Sequence, residues 1–341
     1  MRQANFDWKL SETEPSESFL QMIRELKLSP FVGKLLWQRG YHEEEDINRF
    51  LHPKEQELHD PYLMHDMDKA ISRIQEAVIS GEKILVYGDY DADGITSATV
   101  MKETLELLGA EVEVFLPNRF EHGYGPNRSV YQEKIEKGIQ LIITVDNGVA
   151  GNDAVAYAQQ AGVDVIITDH HELPEKLPDA YAIVHPRHPA GQYPFPDLAG
   201  VGVAFKVASA LLEEPPAEFL DLVAIGTIAD LVSLTDENRI LVSLGIDAIH
   251  HSERIGLQAL FEESGIKMRD ADETTIGFSI APRLNAIGRM GDPRPAVSLL
   301  ATFDEEEASI QAKKLNEINE ERKAIVEQIT EEALAMVNKE N

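Results

Sequence analysis

The chain has 341 residues, 43% hydrophobic and 27% charged, the balance of a globular protein that buries one large core or two modest ones. It contains no cysteine, which excludes disulfides, thiolate-ligated zinc, iron–sulfur clusters and thiol catalysis. Against 31 Lys and Arg stand 60 Asp and Glu, a formal charge of −29 that argues against a generally basic nucleic-acid surface. Local charge reversal by bound cations and a few arginines remains open. No apolar run reaches the roughly 18 residues that span a bilayer, and the opening MRQANFDWKLSETEPSESF lacks the apolar heart of a secretory signal. Cytoplasm is the expected compartment.

Residues 1–66 read as short helices and loops, with an acidic cluster at Glu43–Asp46 and breaks at Pro30, Pro53 and Pro61; they form a helical accessory region. From residue 67 the pattern changes. KILVYGD (83–89), EVEVFLP (111–117), LIITVDN (141–147), VDVIITDH (163–170) and YAIVHP (181–186) are apolar, β-branched runs, most of them separated by helical stretches such as 96–109 and 154–162. The expected architecture is α/β: a parallel sheet with helices on both faces, its ligand beyond the carboxyl ends of the strands. After the break EEPPAEF (213–219) the chain turns helical at 219–232 and 238–251, then loop-rich at 278–295. From Thr302 a capping box with Glu305, acids at 304–307 and the stripe Leu315, Ile318, Ile325 and Ile329 predict one long helix to the end, which needs something to pack on. The domain organisation expected is therefore 1–66 accessory, 67–300 catalytic and 301–341 a connecting helix.

The chemistry sits where strands end. Asp89, Asp91 and Asp93 in DYDADG alternate after the first strand, so that on an extended segment they share one face and repel strongly unless cations neutralise them. The third strand ends in Val145-Asp146-Asn147-Gly148, which by itself reads as an Asn-Gly turn. The fourth ends in Thr168-Asp169-His170-His171, where Asp169 is placed to orient a ligating imidazole. Asp230 closes the apolar stretch AIGTIAD as a cap or a ligand. Oxygen ligands with imidazole and no thiolate suit Mn²⁺ or Mg²⁺, and this many carboxylates imply two ions of the kind that activate water for phosphoester hydrolysis.

DYDADG, VDNG, TDHH and GTIAD, in this order and spacing, resemble the signature motifs of the DHH phosphoesterase superfamily. LAGVGVAFKVASAL (198–211), the Asp-Glu-Asn-Arg at 236–239 and APRLNAIGRM (281–290) are similar to its RecJ branch, single-strand-specific 5′→3′ DNA exonucleases. The resemblance runs from about residue 83 to 300. It implies that Asp146 bridges two ions, that Asp91 and Asp146 hold one, and that Asp93, Asp146, His170 and Asp230 hold the other. His171 would lie beside the scissile phosphate. Other branches carry a His ligand where this chain has Tyr87, so Asp89 or water is expected to complete the first, weaker ion site. His185 stands where an Asn-Pro is usual and is expected to pack in a turn.

Substrate contacts are expected from Arg119 and Tyr124 in the glycine-flexible loop 117–125, an arginine to fork onto phosphate and a tyrosine to stack on a base, and from Arg283 and Arg289. Lys206 is expected to cap or pack a helix. Longer members of the branch continue into a DHH-associated domain with a Gly-Gly-His motif and an OB-type module; no GGH occurs in these residues, so a catalytic core with its linking helix is expected. The implied activity is hydrolysis of single-stranded DNA to 5′-mononucleotides in recombination and repair, with single-stranded DNA, a single-strand-binding protein and a helicase as partners and no membrane. The alternatives are a phosphodiesterase acting on short oligonucleotides or cyclic dinucleotides, and a non-catalytic replication or repair scaffold, against which the complete set of motif acids and histidines speaks. A Rossmann dinucleotide site is rejected, because no G-x-G-x-x-G follows the first strand and three acids there would repel a pyrophosphate.

Overall fold

The computed structural model describes residues 14–340, with side chains up to residue 337. Most of the opening segment on which the signal argument rests lies outside them. The chain divides into two compact units, the first ending at Gln56 and the second beginning at Glu57.

In the first unit, α1 (Glu17–Glu25), α2 (Pro30–Gln38) and α3 (Glu44–Leu51) close over Phe19, Ile23, Leu36 and Ile47. Ser29 caps α2 through the Val32 amide and Pro30 occupies its first turn, so this proline starts a helix. The acidic cluster supplies Glu44, Glu45 and Asp46 to the first turn of α3, where the helix dipole favours negative charge.

The second unit begins upstream of the boundary expected at 66/67. Leu58, Leu63 and Met64 join its core. The His59 carbonyl accepts from Lys206 Nζ at 2.7 Å and the His59 N–H donates to Glu237 Oε1 at 2.8 Å. Lys206 is buried and paired with Glu237. It packs a helix, as its sequence setting implied.

The unit is built on a five-stranded, wholly parallel sheet in the order β2-β1-β3-β4-β5. Its strands are β1 (Lys83–Tyr87), β2 (Glu111–Phe115), β3 (Leu141–Val145), β4 (Asp164–Thr168) and β5 (Ala182–Val184). Side chains alternate between two cores, as a period of two requires. Ile84, Val86, Ile143, Val145 and Ile166 face α4 (Met67–Ser80), α5 (Ala92–Leu107) and α8 (Gly200–Leu212). Leu85, Tyr87, Ile142, Val165 and Ile167 face α6 (Arg128–Glu136) and α7 (Asn152–Gln160). The chain leaves β1 toward β2 on one side and returns to β3 on the other, so the switch point lies between the ends of β1 and β3.

Each strand ends two residues before the run that predicts it, because the last residues turn out of the ladder. Asp89, Asp146 and His170 are among those that turn into the site. DYDADG is therefore not extended. Asp91 is the N-cap of α5, accepting from the Gly94 N–H at 3.0 Å, and Asp93 lies in its first turn. The three acids converge through a strand-to-helix turn and not through strand alternation.

The helical half comprises α9 (Leu220–Ala229), α10 (Asp236–His251), α11 (Ile255–Ser264), the single turn α12 (Glu273–Thr275), a π-helical stretch (Ile276–Ile280), α13 (Ala281–Met290), α14 (Arg294–Ala301) and α15 (Glu305–Glu340). The stretch 278–295, read as loop-rich, is largely helical. Its Pro282 and Pro295 sit in the first turns of α13 and α14, where a proline's missing N–H breaks no helical bond. α15 is capped by Asp304, which accepts from the Glu307 N–H at 2.9 Å, whereas Thr302 accepts from the Asp304 N–H. The cap is thus two residues later than the capping-box pattern suggested. Ala308, Ala312 and Leu315 are buried against the core, while Ile325 and Ile329 are exposed.

Candidate two-cation active site

The acids gather at the switch point. Asp89, Asp93 and Asp146 are almost wholly buried, and Asp91 and Asp230 partly so. Three ligand groups share this space, Asp89, Asp91 and Asp146, then Asp93, His170 and Asp230, and also Asp146, His170 and His171, each with its ligand atoms within 4.8 Å of one another. His170 Nε2 lies 3.1 Å from Asp146 Oδ1, 3.7 Å from Asp230 Oδ2 and 3.8 Å from Asp93 Oδ2. Asp146 belongs to two of the groups and approaches the third through His170, and Asp89 lies beside Asp91 and Asp146.

The donor set fits divalent cations on a structural criterion. Both carboxylate oxygens of Asp146, Asp89 Oδ1 and His170 Nε2 are buried without a hydrogen-bond partner, although buried polar atoms are nearly always satisfied. The electrostatics agree. Burial first, then repulsion from Asp91, pushes Asp89 and Asp93 up to about 7. Burial, with Asp93 as the first charged neighbour, does the same to Asp230, and burial with Asp93, Asp91 and Asp89 lifts Asp146 well above the carboxylate range. Cations offset both causes. Oxygen and imidazole ligands without thiolate match Mn²⁺ or Mg²⁺.

The fold spends backbone geometry on these positions. Asp146 has φ +58°, a left-handed conformation that Asp tolerates better than most residues. Asn147 braces this segment, its side-chain amide donating to the Val145 carbonyl at 3.0 Å, and the hydrogen-bonded turn follows it, with the Gly151 N–H donating to the Gly148 carbonyl at 2.8 Å. The first amides of α8 hold Asp93: Gly200 N–H donates to Oδ2 at 2.7 Å and Val201 N–H to Oδ1 at 2.8 Å. A helix N-terminus is a natural seat for a carboxylate. Asn285 of α13 accepts from the Ala92 N–H at 2.8 Å and so fixes the turn between Asp91 and Asp93. None of the α8 amides nor Asn285 was singled out from the sequence; the only signal was the run of small residues in LAGVG and NAIG.

Those small residues permit close approach. A Cβ on Gly200 would stand 2.4 Å from Asp146 Oδ1, and one on Gly288 would stand 1.9 Å from the Tyr90 carbonyl oxygen. Gly200→Ala is expected to destabilise the protein by about 1–3 kcal/mol and to displace Asp146. Thermal melting and Mn²⁺ titration check this; an unchanged Mn²⁺ affinity would overturn it.

His171 is held for a different task. Asp169 Oδ1 lies 2.8 Å from its Nδ1, and Tyr124 OH lies 2.9 Å from its Nε2. Burial lowers the His171 pKa, but the hydrogen bond and charge of Asp169 outweigh it and bring it to about 9. Burial likewise raises Asp169, and His171 with the Val149 amide overcomes this to hold it below the usual range. Asp169 thus orients the imidazole of His171. His185 is buried and its Nε2 lies 2.9 Å from the His171 carbonyl, while its Nδ1 accepts from the Arg187 N–H. Burial drives it down to about 4, so it donates as a neutral ring to His171 and packs in the turn. Tyr87 OH donates to the Gly125 carbonyl at 2.9 Å and pins the loop that carries Tyr124.

Two clefts flank the acids. One, of about 120 Å³, is lined by Tyr90, Asp91, Asp93, Arg119, Asp230 and Arg289 among others. Arg119 stacks 4.5 Å over the Tyr90 ring. The other opens at Tyr124 and His171. Arg283 does not join them. It is buried, donating to Asn316 Oδ1 at 3.1 Å and the Ser279 carbonyl at 2.6 Å, and so ties the π-helical stretch to α15. The expectation that it meets substrate is corrected, because its position six residues from Arg289 places it on the inner face of α13.

Residues 83–227 match the family described as "DHH family, N-terminal domain". The single-stranded-DNA-specific exonuclease RecJ of Bacillus subtilis is 46% identical over 333 residues, covering 98% of this chain and 42% of that protein. A crystal structure of exonuclease RecJ bound to manganese is 36% identical with a TM-score of 0.74, covering 80% of this chain and 70% of that one. RecJ in complex with Mn²⁺ from Thermus thermophilus is 32% identical with a TM-score of 0.82, covering 94% and 46%. The chain spans about half the length of the curated relatives it matches. With 46% identity to the Bacillus subtilis RecJ over 98% of its length, and 36% to a solved RecJ of which it covers 70%, the chain belongs to the DHH family, in its RecJ branch.

Proposed function

We propose that this chain is the metal-dependent catalytic core of a 5′→3′ exonuclease that hydrolyses single-stranded DNA to 5′-mononucleotides in recombination and repair. The observation that carries the reading is Asp146, wholly buried and shared by two candidate ligand groups, with neither oxygen hydrogen-bonded. Asp89, Asp91 and Asp146 would hold one Mn²⁺ or Mg²⁺, and Asp93, Asp146, His170 and Asp230 the other. When bound, such a pair activates water and offsets the charge of the phosphate under attack.

The side chains supply the rest. Asp169 keeps a proton on His171 Nδ1 and leaves Nε2 facing the cleft beside Tyr124 OH. A protonated Nε2 would donate to a phosphate oxygen and pass its proton to the departing 3′-oxygen. Water's oxygen bonds to phosphorus as the P–O3′ bond breaks, and the terminal nucleotide leaves with its 5′-phosphate. Arg119 and Arg289 are the cleft cations that meet phosphate in an otherwise acidic protein.

Among the described residues no helix is long and apolar enough to cross a membrane. The reading is completed by a cytoplasmic setting and by a single-strand-binding protein and a helicase as partners. Its test is release of 5′-mononucleotide from a labelled single strand in Mn²⁺ but not in EDTA; no release under any divalent cation would overturn it. Arg119→Ala is expected to raise KM roughly 10-fold with a smaller change in kcat, as loss of one charge-assisted phosphate contact requires. Steady-state kinetics on 5′-phosphorylated oligonucleotides check this.

A further inference from the structure

The Asp-Glu-Asn-Arg segment at 236–239 is a motif of the chain, yet none of its four residues belongs to a ligand group. It forms the first turn of α10, just beyond the turn that leaves α9 at Asp230. We infer that Asn238 is a positioning residue of the cation site made by Asp93, His170 and Asp230, its side-chain amide fixing the distance between the two carboxylates. The inference rests on the two-cation reading and specifies what holds one half of that site in place.

Asn238 is wholly buried, and its Nδ2 donates twice. One hydrogen bond, at 2.6 Å, goes to the Asp197 carbonyl, and the other, at 3.0 Å, to the Ser233 carbonyl. Asp197 belongs to the segment that enters α8, whose Gly200 and Val201 amides seat Asp93. Ser233 belongs to the segment that leaves α9 at Asp230. A single amide thus ties together the supports of both carboxylates. The arm that carries it is itself fixed, because neighbouring Glu237 is buried and accepts from Lys206, from the Tyr193 hydroxyl and from the His59 N–H.

Two features separate this link from ordinary packing. Asn238 Oδ1 is buried without a hydrogen-bond partner, a penalty that an apolar side chain of similar volume would avoid. What the asparagine adds is the pair of donors. Leu231, next to Asp230, has φ +61°, a left-handed conformation in which helices usually end on glycine. Such a strained turn keeps its shape only where its surroundings over-determine it, and the Asn238–Ser233 bond is one of those restraints.

The test reads Mn²⁺ binding by calorimetry in two backgrounds of the full chain. Asp91→Asn keeps a good helix cap but weakens the Asp89–Asp91–Asp146 group, so the Asp93–His170–Asp230 site is left to titrate; Asp230→Asn does the reverse. Asn238→Leu keeps the volume and removes both donors. It is expected to weaken binding roughly 10-fold or more in the first background, as loss of a residue that orients a ligand does. In the second background the affinity should stay within about 2-fold, the range of independent sites. Asn238→Ala removes the same donors without adding bulk, and decides by the same criterion if the Leu variant does not fold. Ser252→Ala removes the hydrogen bond to Asp221 at the other end of α9, and as a purely structural loss it should leave both affinities unchanged. Unchanged affinity of the Asn238 variant in the first background, an equal loss in both, or the same pattern in Ser252→Ala overturns the positioning role alone. Absence of Mn²⁺ binding by the wild-type chain overturns the two-cation reading and the inference with it.

Discussion

Asp146→Asn is expected to reduce Mn²⁺-dependent phosphodiester hydrolysis by at least about 10³-fold, the scale of losing a bridging ligand worth several kcal/mol to the transition state. Asn is the informative replacement. It is isosteric and accepts the left-handed φ of +58°, whereas Ala would add backbone strain to the loss of charge. The same substitution removes a carboxylate that burial and its acidic neighbours push well above its ordinary range. The metal-free variant should therefore melt several degrees above the metal-free wild type, and Mn²⁺ should no longer raise its melting temperature. Activity lost together with stability would contradict the assignment, because it would make Asp146 a structural residue.

The metal-free protein is expected to lose stability as pH rises from about 6.5 to 8. Asp89, Asp93 and Asp230 are raised to about 7 in the folded chain and Asp146 is raised as well, against about 3.9 unfolded. Above pH 4 the folded state thus holds protons that the unfolded state has released, and stability falls with pH until those groups ionise. His171, raised to about 9, acts in the same direction at higher pH. His170 and His185 are lowered by burial and act oppositely, but only below about pH 6.5, where an unfolded imidazole gains its proton. The fall should be on the order of 5 °C in EDTA. Mn²⁺ at 100 times its Kd should restore about 2.7 kcal/mol at pH 8 and much less at pH 6, where protons compete for the same oxygens. Calorimetric melting across pH with and without Mn²⁺ measures both effects; a metal-free melting temperature that rises between pH 6.5 and 8 would sink the argument.

Much of this protein was legible in its residues. Five β-branched runs spaced by helical stretches specify a parallel sheet covered on both faces, and the acids and histidines at their ends specify where chemistry happens. The ligand positions were readable because a buried strand followed at once by carboxylates has few structural explanations. Three features depend instead on contacts between distant segments. DYDADG converges because α5 begins at Ala92, a consequence of packing against α13 through Asn285 and Gly288. Asp93 is seated by the N-terminal amides of α8, 107 residues away at Gly200, and backbone donors leave no trace in residue identity. Arg283 and Arg289 share one motif, yet only Arg289 reaches the cleft, because a helix turns side chains six positions apart onto different faces. Residue identity alone set which groups are available for cations and phosphate. The packing of α8, α9 and α13 over the switch point selected which of them meet, since convergence of distant segments is a property of the close-packed core and not of any local pattern.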